Sequence, residues 1–245
     1  MKQNYFTIIE NTPLTNTVFR LRLQGDTSAV TVPGQFVNIR LDGQFLRRPI
    51  SVCDVEGDVL TLIYKVVGRG TEQLRAMTPG EKLDLLTGLG NGYDLTVAGP
   101  APLVIGGGVG VPPMYWLTRK LIASGCTVTA VLGFNTADEV FYDDMFRALG
   151  AEVILTTADG SRGIRGFVTD ALPQLTYSHY FACGPEPMLK AVWHTAEGSG
   201  QLSFEKRMGC GFGACMGCSC RTITGSKRIC REGPVLRKEE IIWAD

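Results

Sequence analysis

Hydrophobic and polar positions alternate at period two through the first hundred residues. Short stretches at 5–10, 18–23, 36–41, 50–54, 59–66 and 82–86 are β-branched or alternate in polarity. They are separated by turn-forming residues, among them Asn11-Thr12-Pro13, Pro33-Gly34, Asp42-Gly43, Glu56-Gly57 and Pro79-Gly80. A period of two puts one side of each stretch in a core and the other in water, which is the pattern of strands. Many short strands at this spacing predict a β-barrel or sandwich over residues 1–98.

Past residue 99 the rhythm changes. An apolar run at 103–105 ends in glycines, and a helical pattern starts at Pro112-Pro113. A strand is expected at 127–132, a helix at 138–149, strands at 152–156 and 179–183, and a helix at 186–197. Strands alternating with helices predict an α/β domain with a parallel sheet over residues 99–204. Residues 205–245 hold little regular pattern, but much of the chemistry.

Eight cysteines are present, and five of them (Cys210, Cys215, Cys218, Cys220 and Cys230) crowd into 21 positions. The spacing Cys210-x4-Cys215-x2-Cys218-x11-Cys230 matches the pattern that holds a plant-type [2Fe–2S] cluster. Two irons bridged by two sulfides need four thiolates; a tight loop gives three, and a later segment brings the fourth. Glycines at 209, 211, 213 and 217 let that loop curl, so that its N–H groups can point at sulfur. The competing reading is structural zinc, which favours two separated ligand pairs or histidine. Both histidines, His179 and His194, lie outside the segment and read as structural. Cys220 is a spare that could stand in for Cys218. Cys53 and Cys126 sit in apolar patterns and read as core. Cys183, in a Cys183-Gly184-Pro185-Glu186-Pro187-Met188 run, reads as a buried thiol.

Two kinds of loop suit nucleotides. Gly106-Gly107-Gly108-Val109-Gly110-Val111-Pro112-Pro113 follows a strand and opens a helix, where exposed N–H groups and the helix dipole favour phosphate. It lacks the third glycine of the G-x-G-x-x-G fingerprint, so a plain tight turn also accounts for it. Arg48-Pro49-Ile50-Ser51 pairs a pyrophosphate-gripping arginine with a hydroxyl, and Gly68-Arg69-Gly70-Thr71 adds a second phosphate-type loop.

Charge excludes some roles. Lys+Arg and Asp+Glu both number 24, which argues against a nucleic-acid binder or a protein held on acidic membranes by bulk charge. The polar start resembles a strand rather than a secretory signal, and the uncharged run at 100–118 is broken by glycines and prolines, so a cytoplasmic protein without a membrane span is expected. Six cations, Lys206, Arg207, Arg221, Lys227, Arg228 and Arg231, surround the cysteine segment. They read either as a solvated loop or as groups that offset cluster charge and meet a partner.

In their order along the whole chain, the R-P-x-S, G-x-G-T, G-G-G-x-G-x-P-P and C-G-P-E-P-M motifs resemble the ferredoxin reductase family. The resemblance implies a β-barrel FAD domain, an α/β parallel-sheet NAD domain and the C-terminal [2Fe–2S] segment. With the tail from Glu205 through Cys220 and the later Cys230-Arg231-Glu232-Gly233-Pro234-Val235-Leu236 added, the chain resembles the electron-transfer subunits of type B dihydroorotate dehydrogenase. That resemblance implies FAD contacts at Arg48, Pro49, Ile50, Ser51, Ile63, Tyr64, Lys65, Gly70 and Thr71. It implies NAD at Gly106, Gly107, Gly108 and Gly110, and cluster ligation by Cys210, Cys215, Cys218 and Cys230. It also implies an FMN-containing dihydroorotate dehydrogenase catalytic subunit as partner, two copies of each in a heterotetramer, serving pyrimidine (UMP) biosynthesis. The alternative is an FAD/[2Fe–2S] subunit of another NAD(P)-linked complex, such as a ferredoxin:NADP reductase, a sulfide dehydrogenase or a hydrogenase. NAD is expected over NADP, because residues 133–139 carry acids and no arginine for a 2′-phosphate.

Overall fold

A computed structural model describes residues 1–243; the last two positions of the 205–245 segment lie outside the described residues. Strands β1 (Lys2–Pro13), β2 (Val18–Gln24), β3 (Phe36–Arg40), β4 (Arg48–Glu56), β5 (Val59–Lys65) and β6 (Lys82–Leu89) close into an antiparallel barrel in the order β1-β2-β5-β4-β3-β6. The alternation read from sequence is the reason it closes. Phe6, Ile8, Leu21, Leu23, Val37, Ile39, Leu60, Leu62 and Leu85 point into one core and are essentially inaccessible. One helix the sequence reading missed, α1 (Arg69–Ala76), connects β5 to β6. The expected phosphate loop at Gly68-Arg69-Gly70-Thr71 is its first turn: the Thr71 hydroxyl donates to the Gly68 carbonyl (3.0 Å) and accepts from the Gly68 N–H (3.2 Å).

The second half of the chain is α/β. Its elements are β7 (Leu103–Gly107), α2 (Val111–Ala123), β8 (Thr129–Phe134), α3 (Asp143–Ala148), β9 (Glu152–Thr157), β10 (Ile164–Arg165), α4 (Val168–Ala171), β11 (Tyr180–Cys183), α5 (Glu186–Thr195) and β12 (Gly200–Ser203). The expected helix at 138–149 is split into a 3-10 turn at Ala137–Glu139 and α3, because Tyr142 between them takes φ 67°. That left-handed residue cannot continue a helix. The tail is more regular than its sequence suggests. It forms a hairpin of β13 (Ser219–Thr222) and β14 (Gly225–Arg228), and then β15 (Val235–Arg237). A seven-stranded sheet runs β10-β9-β8-β7-β11-β12-β15, parallel except for β15, which pairs antiparallel with β12.

Barrel and sheet are joined through α2. Nine of its thirteen residues are buried, and Trp116 enters the barrel core while Met114 and Leu117 pack in the sheet's own core. A helix apolar on nearly every side is a buried helix. Arg119 near its end donates to the Asp54 carboxylate (3.1 Å from Nε) and the Val55 carbonyl (2.8 Å), pinning the helix to β4.

Candidate cofactor cleft and cluster loop

The motifs converge because the strands that carry them end on one side of the molecule. Asn38 of β3 lies directly opposite Pro49 of β4, so the R-P-x-S motif opens at the rim of the barrel. Gly70 lies under the Arg48 side chain, and a Cβ there would stand 2.2 Å from Arg48 Nε. The arginine is thereby laid across Gly70 in the first turn of α1. Arg48 also donates to the Gln44 side-chain oxygen (2.8 Å). Tyr64 at the end of β5 donates its hydroxyl to Asn11 Oδ1 (3.0 Å). Burial pushes that phenol up to about 12.

At the sheet, β7 and β11 are parallel neighbours, so their carboxyl-end turns meet. A Cβ on Gly110 would stand 2.2 Å from the Cys183 carbonyl oxygen, and one on Gly107 would stand 2.3 Å from Met188 Sδ. The contact between turns requires glycine at 110, where the obstacle is backbone; at 107 it is the flexible Met188 side chain. Gly108 is different: it takes φ +52° with open space around its missing Cβ. Gly106 packs on Val111 at the start of α2 (Cβ to Cα 2.9 Å). Burial pushes the Cys183 thiol up to about 12, so it stays neutral.

A cleft of about 900 Å³ joins the two halves. Arg48, Pro49, Ile50, Ser51, Ile63, Tyr64, Lys65 and Thr71 line it from the barrel, and Gly107, Gly110 and Cys183 from the sheet. Gly70, Gly106 and Gly108 do not line it; they act through the side chains and turns beside it. The cleft is also walled by residues the sequence reading did not assign to it: Arg47, Ser203, Phe204, Glu205 and Met208, with two of the six cations, Lys206 and Arg207. Arg47 was hidden beside Arg48. Its guanidinium makes a bidentate pair with buried Asp84 (3.0 Å for both bonds). The size and mixed apolar and cationic lining fit a dinucleotide.

Two residues past that wall the cluster loop begins. The Ala214 and Cys215 N–H groups donate to Cys210 Sγ (3.2 and 3.4 Å), and the Cys210 N–H donates to Cys215 Sγ (3.5 Å). The Cys230 N–H donates to Cys218 Sγ (3.4 Å). The four thiols stand as two pairs, Cys210 with Cys215 and Cys218 with Cys230. Among the described residues no three metal-ligating side chains converge on one point as around a single ion. Two thiol pairs with amides aimed at sulfur fit a two-iron rhomb, whose irons each take two thiolates. Burial opposes ionisation of Cys210, but the N–H groups of Phe212, Cys215 and Ala214 outweigh it and bring the thiol down to about 6. Burial and the neighbouring Cys218 push Cys230 up to about 12. Cys220 sits on β13 opposite Lys227, lining a different groove.

Half of the six cations are taken by ion pairs: Lys206 with Glu186 (2.6 Å), Lys227 with Glu240, and Arg228 with Glu232. Arg228 also donates to the Gly213 carbonyl (2.6 Å), gripping the cluster loop. The turn after β8 holds a surprise. It has no arginine of its own, yet Arg162 arrives from the loop after β9, where Ser161 Oγ accepts from the Ala137 N–H (2.7 Å). Asp143 holds the Arg162 guanidinium (2.8 Å), and Arg147 holds the same carboxylate (2.8 Å).

Comparison with known proteins gives the following. Residues 205–242 match a family model described as the iron-sulfur cluster binding domain of dihydroorotate dehydrogenase B, and residues 104–194 match an oxidoreductase NAD-binding domain. A protein of Geobacillus sp. (strain WCH70), named dihydroorotate dehydrogenase B (NAD(+)), electron transfer subunit, is 41% identical over 99% of both chains. A protein of the same name from Fusobacterium nucleatum is 38% identical over 98% of this chain and 99% of its own. Among solved structures, one of an NADH-dependent reduced ferredoxin-NADP oxidoreductase, described for flavin-based electron bifurcation, aligns with TM-score 0.88 and 30% identity over 97% of this chain and 90% of that one. A ferredoxin NADP+ reductase from Neisseria gonorrhoeae with bound FAD and NADP shares the fold (TM-score 0.69, 19% identity, 80% of this chain and 90% of that one).

Proposed function

The chain belongs to the family of dihydroorotate dehydrogenase B electron transfer subunits, and from that premise we propose that it passes electrons between NAD and an FMN-containing catalytic subunit that oxidises dihydroorotate, two copies of each forming a heterotetramer in the cytoplasm. Among the described residues no helix is long and apolar enough to cross a membrane. The observation that carries the reading is one cleft walled by the barrel motifs, by the Cys183 turn and by residues 205–208, which lead directly into Cys210.

When bound, FAD exchanges a hydride with nicotinamide and single electrons with a [2Fe–2S] centre, which is why it belongs between them. The chain's residues supply position and field. Arg48 and the first turn of α1 would hold the pyrophosphate of FAD, and Ser51 would offer a hydroxyl to its ring. Ile50 and Ile63 exclude water. Gly107, Gly108 and Gly110 open the carboxyl end of β7 to NAD, in the crevice where doubly wound sheets bind ligands. Cys183 brings no charge to that crevice, since its thiol is neutral. Cys210, Cys215, Cys218 and Cys230 hold the cluster. NAD is preferred over NADP because the turn after β8, residues 133–139, carries acids and no arginine of its own for a 2′-phosphate.

The test uses the chain with its cofactors. It should oxidise NADH with an artificial acceptor and show no activity on dihydroorotate; adding the catalytic subunit should couple dihydroorotate oxidation to NAD+ reduction. Dihydroorotate oxidation by the chain alone, or rates with NADPH equal to those with NADH, would each refute the corresponding part. The structure at TM-score 0.88 supports a second reading, a subunit of an NADH- and ferredoxin-linked complex. Failure to couple to the dihydroorotate-oxidising subunit, with coupling to reduced ferredoxin instead, would select it.

A further inference from the structure

On β3, the sequence Phe36-Val37-Asn38-Ile39 puts one amide into an otherwise apolar buried run, and Asn38 is only 1% exposed. A lone polar group there costs stability unless its hydrogen bonds matter. Its Nδ2 donates to the carbonyl of Cys210, the first cysteine of the cluster loop (3.1 Å), while its Oδ1 is buried with no partner among the described residues. An amide meeting only half its capacity is not there to stabilise the barrel.

The contact is enforced from both sides. On the loop side, Gly211 takes φ +75°, and a Cβ there would stand 2.3 Å from Asn38 Nδ2. On the barrel side, Asn38 is the ladder partner of Pro49 in the R-P-x-S motif. Its carbonyl accepts from the Arg47 guanidinium (3.3 Å), which lines the cleft and is fixed by Asp84. Two strands that wall the cleft are thus one hydrogen bond away from the backbone of a cluster cysteine. Beyond the fourth cysteine the tail has its own anchor. Asn91 donates to the Val235 carbonyl (2.8 Å) and accepts from the Val235 N–H (3.1 Å). That amide uses both of its ends, as a structural clamp does.

We propose that Asn38 is a positioning residue for electron passage, its amide fixing the first cluster cysteine relative to the flavin cleft and thereby setting the cluster's environment and its exchange with flavin. The inference rests on the proposed cofactor arrangement and adds to it a residue of the barrel that touches neither cofactor motif's side chains. A hydrogen bond to the backbone of a ligand acts as an outer-shell contact, and loss of such contacts changes affinity or activity by roughly 10–100-fold.

The experiment compares the full-length holoprotein with Asn38→Leu and Asn38→Ala, each of which removes the donor to the Cys210 carbonyl, the first filling the space and the second leaving it open. Flavin bleaching and cluster reduction are followed separately after mixing with NADH, alongside iron and labile-sulfide content, the EPR spectrum of the reduced cluster and its midpoint potential. FAD content and flavin bleaching should match the parent in both variants. Cluster reduction should slow roughly tenfold in both, and the EPR spectrum and midpoint potential of the cluster should change. Parent-like EPR, potential and cluster reduction in Asn38→Ala would overturn the proposal, and that variant alone decides it if Asn38→Leu does not fold. A parent protein without iron and labile sulfide would instead sink the cofactor arrangement itself.

Discussion

The cleft and the cluster loop lie side by side but are held in different ways. Around the cleft, β4 and β5 are locked in the barrel, and the turns after β7 and β11 press on each other so closely that Gly110 has no room for a side chain. Residues 204–218 carry neither helix nor strand, and Cys215 within them is exposed. They are fixed by a few contacts: N–H groups on sulfur, Arg228 on the Gly213 carbonyl and Asn38 on the Cys210 carbonyl. The cleft therefore carries its shape in the polypeptide, whereas the loop depends for its final order on what the thiols bind, as metal sites coupled to folding do.

The sharpest way to break this contrast is to remove the metal alone. Cys215→Ser should abolish the iron–sulfur absorbance and all electron delivery to the partner subunit. It should leave FAD bound and reducible by NADH, because no strand of the cleft depends on residue 215. Metal analysis, the visible spectrum and NADH-driven flavin bleaching check this. Concurrent loss of FAD would mean that cleft and loop form one cooperative unit. The next effect belongs to the cleft. Arg48→Ala removes a charged donor held over the α1 N-terminus, and bonds to charged groups contribute about 1.5–3 kcal/mol. FAD affinity should fall roughly 10–100-fold, measured by flavin titration of the apoprotein, with iron content unchanged.

How far the sequence revealed these regions follows the same division. The barrel was legible because period two repeats along every strand, and the sheet because apolar runs such as Leu103-Val104-Ile105 alternate with helical patterns. The cluster loop was legible from spacing, since its candidate cysteines lie close together in sequence, although spacing left Cys218 and Cys220 open as the third of them. What was not legible is everything created by strands distant in sequence. Asn38 meets Cys210 across 172 positions, Arg47 meets Asp84 across 37, and Arg162 reaches Asp143 from another loop. A faint signal existed for Asn38, a polar residue at a core position of an apolar strand. The helix α1 was missed because Gly68-Arg69-Gly70-Thr71 reads as a loop until the Thr71 hydroxyl is seen closing its first turn. The strand β15 was missed because three residues next to a proline give no period.

A smaller effect tests whether the cleft is chemically quiet where the loop is reactive. Burial raises the Cys183 thiol to about 12, so its neutral form persists and the thiolate grows in only as pH approaches that value. At pH 8 only about 10⁻⁴ of it is ionised, and the thiolate is the nucleophile. Iodoacetamide should leave Cys183 unmodified between pH 6 and 9, with labelling rising roughly tenfold per pH unit above that range. Mass spectrometry of its peptide gives the answer, and labelling at neutral pH would show that the cleft opens more than its packing allows.

The smallest expected effect decides an ambiguity that spacing alone leaves, whether Cys218 or Cys220 is the third ligand. Only two positions separate them, but the hairpin places them differently. Cys218 precedes β13, is 3% exposed, accepts the Cys230 N–H on its sulfur (3.4 Å) and accepts the Ile229 N–H on its carbonyl (3.2 Å). Cys220 lies within the β13–β14 ladder opposite Lys227 and lines a different groove, together with Lys190 and Trp243. A strand residue cannot swing to the loop without breaking its ladder, so Cys220→Ser should keep the full iron and sulfide content, the EPR spectrum and NADH-to-partner electron delivery within experimental scatter. Cys218→Ser should lose all three. Equal losses from the two substitutions would mean that the hairpin rearranges around the metal, and the contrast between a preformed cleft and a loop ordered by its ligand would then extend into β13 as well.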